Sequence, residues 1–241
     1  MLVRDDGICI GQAAHAWVSG QLAAAWDPAA VPHRAAAVLA ATQHDVGMAE
    51  WDLEPEVDAA TGLPVSFMRM ELDTHLRLWR AAPSKVLTQS RIAALMLSLH
   101  GTSLYVRRDL ARLSEADADA VRAYLADQRA FQAALRADTG VTEDEAARLQ
   151  ALLFAWDWLS LALCLDWAPD TLTDGPIGLS LSADHTLAPW PFADDSVTVV
   201  TEGRRLADRT SATDAELHAA LEAAERVELS WTLTRAPSGA P

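Results

Sequence analysis

Along roughly the first two thirds of the chain, apolar residues recur at the three- and four-residue intervals of helices that bury one face or more. Residues 1–4 and 8–10, on either side of Asp5-Asp6-Gly7, predict a strand, a turn and a strand. A helix is predicted over 12–27, with Ala13, Ala14, Trp17, Leu22 and Trp26 on its apolar side and Pro28 closing it. Pro32 opens a second helix, which carries His44-Asp45 and stops at Gly47. Residues 49–70 hold Pro55, Gly62 and Pro64 with little periodicity; they read as a long loop, and such loops inside compact domains are often functional. A short helix over 71–81 carries His75, and a longer one, capped by Ser84 and running to about residue 105, carries His100.

Two further helices announce themselves by acid-rich caps. Ser114-Glu115-Ala116-Asp117 starts one that Gly140 ends, and Thr142-Glu143-Asp144-Glu145 starts the next, which runs to about residue 167. The pair reads as a helical hairpin. The pattern changes at Pro169, after which Gly175, Pro176, Gly178, Pro189 and Pro191 punctuate the chain. Residues 197–201 and 227–234 predict strands, and a helix begins near Thr213. The expected architecture is mainly α: a helical domain over 1–168 with a small α/β appendage over 169–241 packed on it. The N-terminal strands are placed to join the appendage's sheet.

Composition narrows the functions available. The 241 residues are 51% hydrophobic and 22% charged, a globular balance, and suffice to bury a sizeable core without staples. Net charge is −15, with 34 acidic residues against 19 basic ones. Such a surface repels polynucleotides and anionic membranes, while local arginines can still hold a small anion. No uninterrupted apolar run reaches 18 residues, and no basic-then-apolar leader opens the sequence. Cys9 and Cys164 sit in apolar surroundings without a CxxC motif and read as reduced core thiols. A cytoplasmic location is the resulting expectation, with a small molecule as partner and the oligomeric state open.

The chemistry-bearing residues are His15, the adjacent pair His44-Asp45, His75, His100 and Asp157, all on predicted helices. Imidazole and carboxylate are the ligands that divalent ions of intermediate hardness take, and several packed helices can aim one group each at a common point. His33, His185 and His218 lie at helix starts, in a loop or on a mixed face and are given no role. Asp157 stands in Leu-Leu-Phe-Ala-Trp-Asp-Trp-Leu-Ser-Leu, where a carboxylate cannot be solvated on all sides. It needs a cation, a donor network or a proton, and either a metal or an arginine satisfies it. Successive helical side chains point about 100° apart. His44 and Asp45 therefore reach one site only if two ions sit there or the helix end turns.

His, His-Asp, two spaced His and a late Asp resemble the HD-domain metalloenzyme superfamily, and His44-Asp45-Val46-Gly47 is similar to the His-Asp-x-Gly that many members carry. The resemblance covers roughly residues 12–167 and implies an HD-like helical bundle of the bimetallic branch. It assigns His15, His44, Asp45 and Asp157 to one ion, and Asp45, His75 and His100 to the other. Two divalent ions are implied, iron first, with manganese, zinc and magnesium as alternatives. One departure is Met48, where many phosphodiesterase relatives carry a lysine. The stretches His-Asp-Val-Gly-Met-Ala-Glu-Trp-Asp, Ser-Leu-His-Gly and Phe-Ala-Trp-Asp-Trp-Leu-Ser-Leu are also similar to an uncharacterised bacterial family, domain of unknown function 3891.

The expected activity is metal-dependent hydrolysis of a small phosphoester, with Asp45 as the catalytic carboxylate. A diiron oxygenase acting on a small polar substrate and a non-catalytic metal- or ligand-sensing module are the alternatives. Glu50, Trp51 and Arg69 are the substrate-binding candidates, because the segment after His-Asp is placed to form the pocket rim. Arg77, Arg91 and Lys85 are further candidate cations.

Overall fold

The computed structural model describes residues 1–167, 176–207 and 210–237; Pro169 and Gly175, expected to open the C-terminal segment, lie outside the described residues. In chain order, β1 (Leu2–Val3) and β2 (Ile8–Ile10) form a hairpin, followed by α1 (Gln12–Ala25) and α2 (Arg34–Gln43). The predicted loop holds α3 (Ala49–Leu53) and a small hairpin, β3 (Val57–Asp58) with β4 (Leu63–Pro64). Next come α4 (Leu72–Val86), α5 (Arg91–Val106), α6 (Glu115–Thr139) and α7 (Glu143–Cys164). The chain closes with β5 (Ser180–Leu181), β6 (Thr186–Ala188), β7 (Ser196–Arg205), α8 (Asp214–Ala223) and β8 (Glu225–Arg235).

The acid-rich caps form as the sequence predicts. Ser114 Oγ accepts from the Asp117 N–H, and Thr142 and Glu145 make a reciprocal capping box. Gly140 takes the left-handed conformation that ends α6. Ser84 is not a cap: α4 runs through Pro83 to Val86, and Ser90 caps α5 by accepting from the Ala93 N–H. Pro83 is buried against the core, so packing of α4 carries the helix past a residue that local preference would use as a break.

The six-stranded sheet overturns the expectation of a mainly helical HD-like bundle with a small appendage. Its order is β1-β2-β7-β8-β6-β5, and it is a curled mixed sheet built from both ends of the chain, with β6 parallel to β8. Val197, Val199, Thr201 and Gly203 of β7 lie opposite Leu233, Trp231, Leu229 and Val227 of β8, and this face turns inward. It lies on α1: the Thr201 hydroxyl donates to the Ala14 carbonyl at 3.0 Å. β2 pairs with β7 only at Arg204 and Arg205, so the main chain of Val200 lacks a neighbouring strand on that side. Gln21 of α1 stands in for it, accepting from the Val200 N–H at 3.0 Å and donating to its carbonyl at 2.7 Å. The sheet is therefore a structural layer fastened to the first helix. The pattern of β2 agrees: Ile8 and Ile10 face the main core, while Cys9 joins Leu206, Leu217 and Leu221 beneath α8 on the other side.

Helices α1, α2, α5 and α7 converge on the core. α2 buries Ala37, Ala40 and Ala41, small side chains that let neighbours come close. At Gly20 of α1 there is no room for a Cβ against Thr42 of α2. α7 is apolar on almost every side and is buried accordingly, except that Asp157 and Ser160 form a polar spot on it. No helix among the described residues is long and apolar enough to cross a membrane.

Candidate metal centre

The tight crossing of α1 and α2 sets His15 edge-on to His44, ring centroids 5.0 Å apart. α2 ends at Gln43, and the chain then turns: His44 is still helical, whereas Asp45 has φ −98° and ψ 19°. The turn brings both side chains to one place, which a continuing helix would not do. Gly47 permits it, because a Cβ there would meet the Leu78 carbonyl of α4 at 2.5 Å. α7 brings Asp157, and α5 brings His100, whose ring lies 5.3 Å from that of His44. His15, His44, Asp45, His100 and Asp157 are all at least nine-tenths buried.

The hydrogen bonds orient each imidazole. His44 Nδ1 donates to the Ala41 carbonyl at 2.9 Å, which turns Nε2 inward as a lone pair when the ring is neutral. That Nε2 lies 3.3 Å from Asp157 Oδ1 and 3.6 Å from Asp45 Oδ2 yet makes no hydrogen bond. His15 is fixed from behind by Ser160. The Ser160 hydroxyl donates to the Asp157 carbonyl at 2.8 Å, so it accepts from His15 Nδ1 at 2.9 Å. His15 Nε2 then faces Asp45 Oδ2 at 2.6 Å. His100 Nε2 is 3.5 Å from Asp157 Oδ2, and its Nδ1 is buried without a partner.

Burial and charge work against each other here. For His44, burial favours the neutral ring, but Asp45 and Asp157 together outweigh it and raise the group to about 9 without a cation. Burial likewise opposes ionisation of Asp157, and the close approach and charge of His44, with the charges of His100 and His15, hold its carboxyl well below the usual range. Asp45 is lowered in the same way by His44 and His15 against its own desolvation. Burial dominates at His100, which falls to about 4 and stays neutral. The result is two buried carboxylates and three imidazoles, with one imidazole nitrogen aimed at them and unbonded.

This donor set fits a divalent ion. Ligand atoms of His15, His44 and Asp157 all lie within 4.8 Å of one another. An ion with bonds of roughly 2.0–2.2 Å holds its ligands up to about 4.4 Å apart, so a small inward shift closes the set. Asp45 adjoins it through Oδ2.

His75 stands apart. It lines the same pocket, but its Nε2 accepts from Trp79 Nε1–H at 2.9 Å and its Nδ1 bonds the Tyr105 hydroxyl. Neither nitrogen is available unless one of those bonds breaks. The predicted substrate residues are elsewhere too: Glu50 pairs with Lys85 at 2.6 Å, Arg69 pairs with Asp58, and Trp51 packs on the core. Arg91 pairs with Asp138.

A pocket of about 290 Å³ opens onto the cluster, at the small end of the range for ligand sites. The predicted loop does form one wall, through Phe67, Met68 and Met70, while Gln12 and Arg108 add polar groups beyond the cluster and His75. Sequence reasoning missed all five. Gln12, at the first turn of the histidine-bearing α1, carried the only available signal. A larger cleft of about 370 Å³ between Trp26, Arg148 and Trp190 contains no ligating cluster among the described residues.

Fold and site together define an α+β protein with a buried histidine–aspartate cluster at the floor of a small pocket. The chain belongs to the family described as Protein of unknown function (DUF3891), whose model matches residues 1–208 and so spans the whole cluster. No curated protein and no solved structure matches it.

Proposed function

We propose that this protein is a metal-dependent hydrolase of a small phosphoester, with one divalent ion held by His15, His44, Asp45 and Asp157. The observation that carries the reading is His44 Nε2: buried, unbonded, its tautomer set by Ala41, and facing two carboxylates. The order of the ligands, similar to that of HD-domain enzymes, supports it as well.

When bound, a divalent ion supplies Lewis acidity and makes water acidic near neutral pH. The chain's own groups do the rest. Asp45 Oδ2 carries both imidazole contacts, and among the described residues its Oδ1 makes no hydrogen bond, so Oδ1 accepts the proton of the attacking water. The water oxygen bonds to phosphorus, the ester P–O bond breaks, and the departing alkoxide takes a proton at the open mouth of the pocket. His15, held by Ser160, keeps Asp45 in place. Phe67, Met70 and Trp79 exclude bulk water from one side.

A single-ion hydrolase is favoured over a diiron oxygenase by His75. A second ion needs that ring, and both its nitrogens already have protein partners. The test is hydrolysis of bis(p-nitrophenyl) phosphate by protein reconstituted with manganese, zinc or ferrous iron. Turnover that depends on the metal and vanishes in Asp45→Asn is expected; equal turnover with and without metal removes the proposal.

A further inference from the structure

The pocket above the cluster has an unusual charge inventory. Asp45 and Asp157 are two negative charges, balanced by the divalent ion that the proposed function places there, and the imidazoles are neutral once they act as ligands. Beyond the cluster and His75, the lining is Gln12, apolar side chains and one cation, Arg108. Three other cations are engaged elsewhere: Arg69 with Asp58, Lys85 with Glu50, Arg112 with Asp109. Arg108 forms no ion pair among the described residues, and its guanidinium rests 5.8 Å from the centre of the Tyr105 ring. Its neighbour Asp109 is committed to Arg112 and to capping the Ala111 N–H, and so does not cancel it.

Two further observations point to a ligand. Gln12 is only 3% exposed, and its carboxamide oxygen has no partner although it lines the pocket. Turning the amide over presents an N–H instead, so this group can meet a phosphoryl oxygen or a hydroxyl. The mouth is apolar: Met68 is 62% exposed and Leu104 is 39% exposed, against the usual tendency of such residues to be covered. Methionine adapts its shape to varied apolar groups.

We propose that Arg108 is the specificity-determining residue of this pocket, selecting a small phosphoester with one negative charge and an apolar substituent, a diester, over the doubly charged monoester. The inference rests on the metal-hydrolase reading, because the ion is what neutralises the two aspartates. One unpaired guanidinium compensates one negative charge. A second charge on the ligand has no partner and faces a protein with net charge −15. The phosphoryl group lies between the cluster and Arg108 with Gln12 beside it, and the substituent lies on Met68 and Leu104.

Methylphenylphosphinate and phenylphosphonate test this directly. They are nearly isosteric and have no ester bond to break, and at mildly alkaline pH they carry one and two negative charges. Their dissociation constants are measured by calorimetry at low salt on the wild type, Arg108→Gln and Arg108→Lys, after the metal content of each sample has been determined. Arg108 is exposed, so neither variant threatens the fold. The wild type is expected to bind the phosphinate roughly tenfold more tightly than the phosphonate. Arg108→Gln weakens the phosphinate by roughly five- to tenfold, and Arg108→Lys recovers most of that loss. A metal-loaded wild type that prefers the phosphonate, or an Arg108→Gln variant that binds the phosphinate unchanged, overturns the role of Arg108 and leaves the metal centre standing. A wild type that holds no metal overturns the hydrolase reading itself, and this inference with it.

Discussion

The wall of the pocket and the buried cluster beneath it use histidine in opposite ways. At His75 both ring nitrogens have protein partners, Trp79 and Tyr105, and the ring is finished as a hydrogen-bonding element. In the cluster, His44 has one nitrogen bonded to Ala41 and the other facing two carboxylates without a hydrogen bond. Trp79 links the two, since its ring also lies tilted against that of His100, centroids 5.4 Å apart. The same residue type on neighbouring helices is satisfied by protein partners in one place and, in the proposed function, poised for a cation in the other. What separates them is whether the surroundings supply a donor and an acceptor or only negative charge.

The largest effect is expected where the difference is sharpest. Asp157→Ala removes one of the two carboxylates facing His44 and should lower metal-dependent turnover by at least about a thousandfold, while His75→Gln costs no more than roughly tenfold. Comparable losses in the two variants, measured as kcat/KM, break the distinction.

The two histidines also titrate with opposite sign in metal-free protein. His75 falls to about 4 because burial disfavours its charged form. A folded pKa below the unfolded value of 6.5 stabilises the fold above pH 6.5, and that contribution fades as pH drops through about 4. It amounts to at most roughly 3 kcal/mol. His44, raised to about 9, does the reverse: its stabilisation is complete below 6.5 and is lost as pH rises through about 9. Urea unfolding across this range should show a smaller acid loss in His75→Gln than in the wild type. Identical acid slopes in the two proteins count against the assignment.

Smaller effects sharpen the picture. Ser160→Ala leaves His15 without its hydroxyl support and should weaken metal affinity by roughly ten- to a hundredfold with the fold intact, as read by competition with a chromophoric chelator. Gly101→Ala sets a Cβ within 2.8 Å of the Trp79 ring and 2.5 Å of the Tyr124 hydroxyl. It should cost about 1–2 kcal/mol in chemical denaturation and disturb the His75 corner first. A variant as stable as the wild type means that Trp79 has room to move.

The residues that converge in the cluster were legible because histidine and aspartate in apolar helices stand out against their neighbours. His44 and Asp45 posed a geometric conflict that only the turn after Gln43 resolves, and a turn of that kind has no sequence signature beyond Gly47. Four of the six strands were legible, as was the joining of the N-terminal pair to the C-terminal sheet, whereas β5, β6 and the extent of the layer were not. β5 and β6 are only two and three residues long, and the Gln21 carboxamide that fastens the sheet to α1 looks like any polar residue on a helix. Arg108 was invisible for a similar reason. In sequence it is one of two adjacent arginines after α5, and only the structure shows it lining the pocket without an ion-pair partner among the described residues. Glu50 and Arg69 were drawn to the pocket by proximity in sequence, yet each finds an opposite charge outside it.

The central claim is that the cluster holds a cation and that His75 is not part of its grip. The most direct measurement is metal content by mass spectrometry on protein purified without oxygen, for the wild type, His44→Ala and His75→Gln. A single divalent ion per chain in the wild type and in His75→Gln, with none in His44→Ala, is the predicted result. Metal-free wild type, or metal retained in His44→Ala and lost in His75→Gln, contradicts the account.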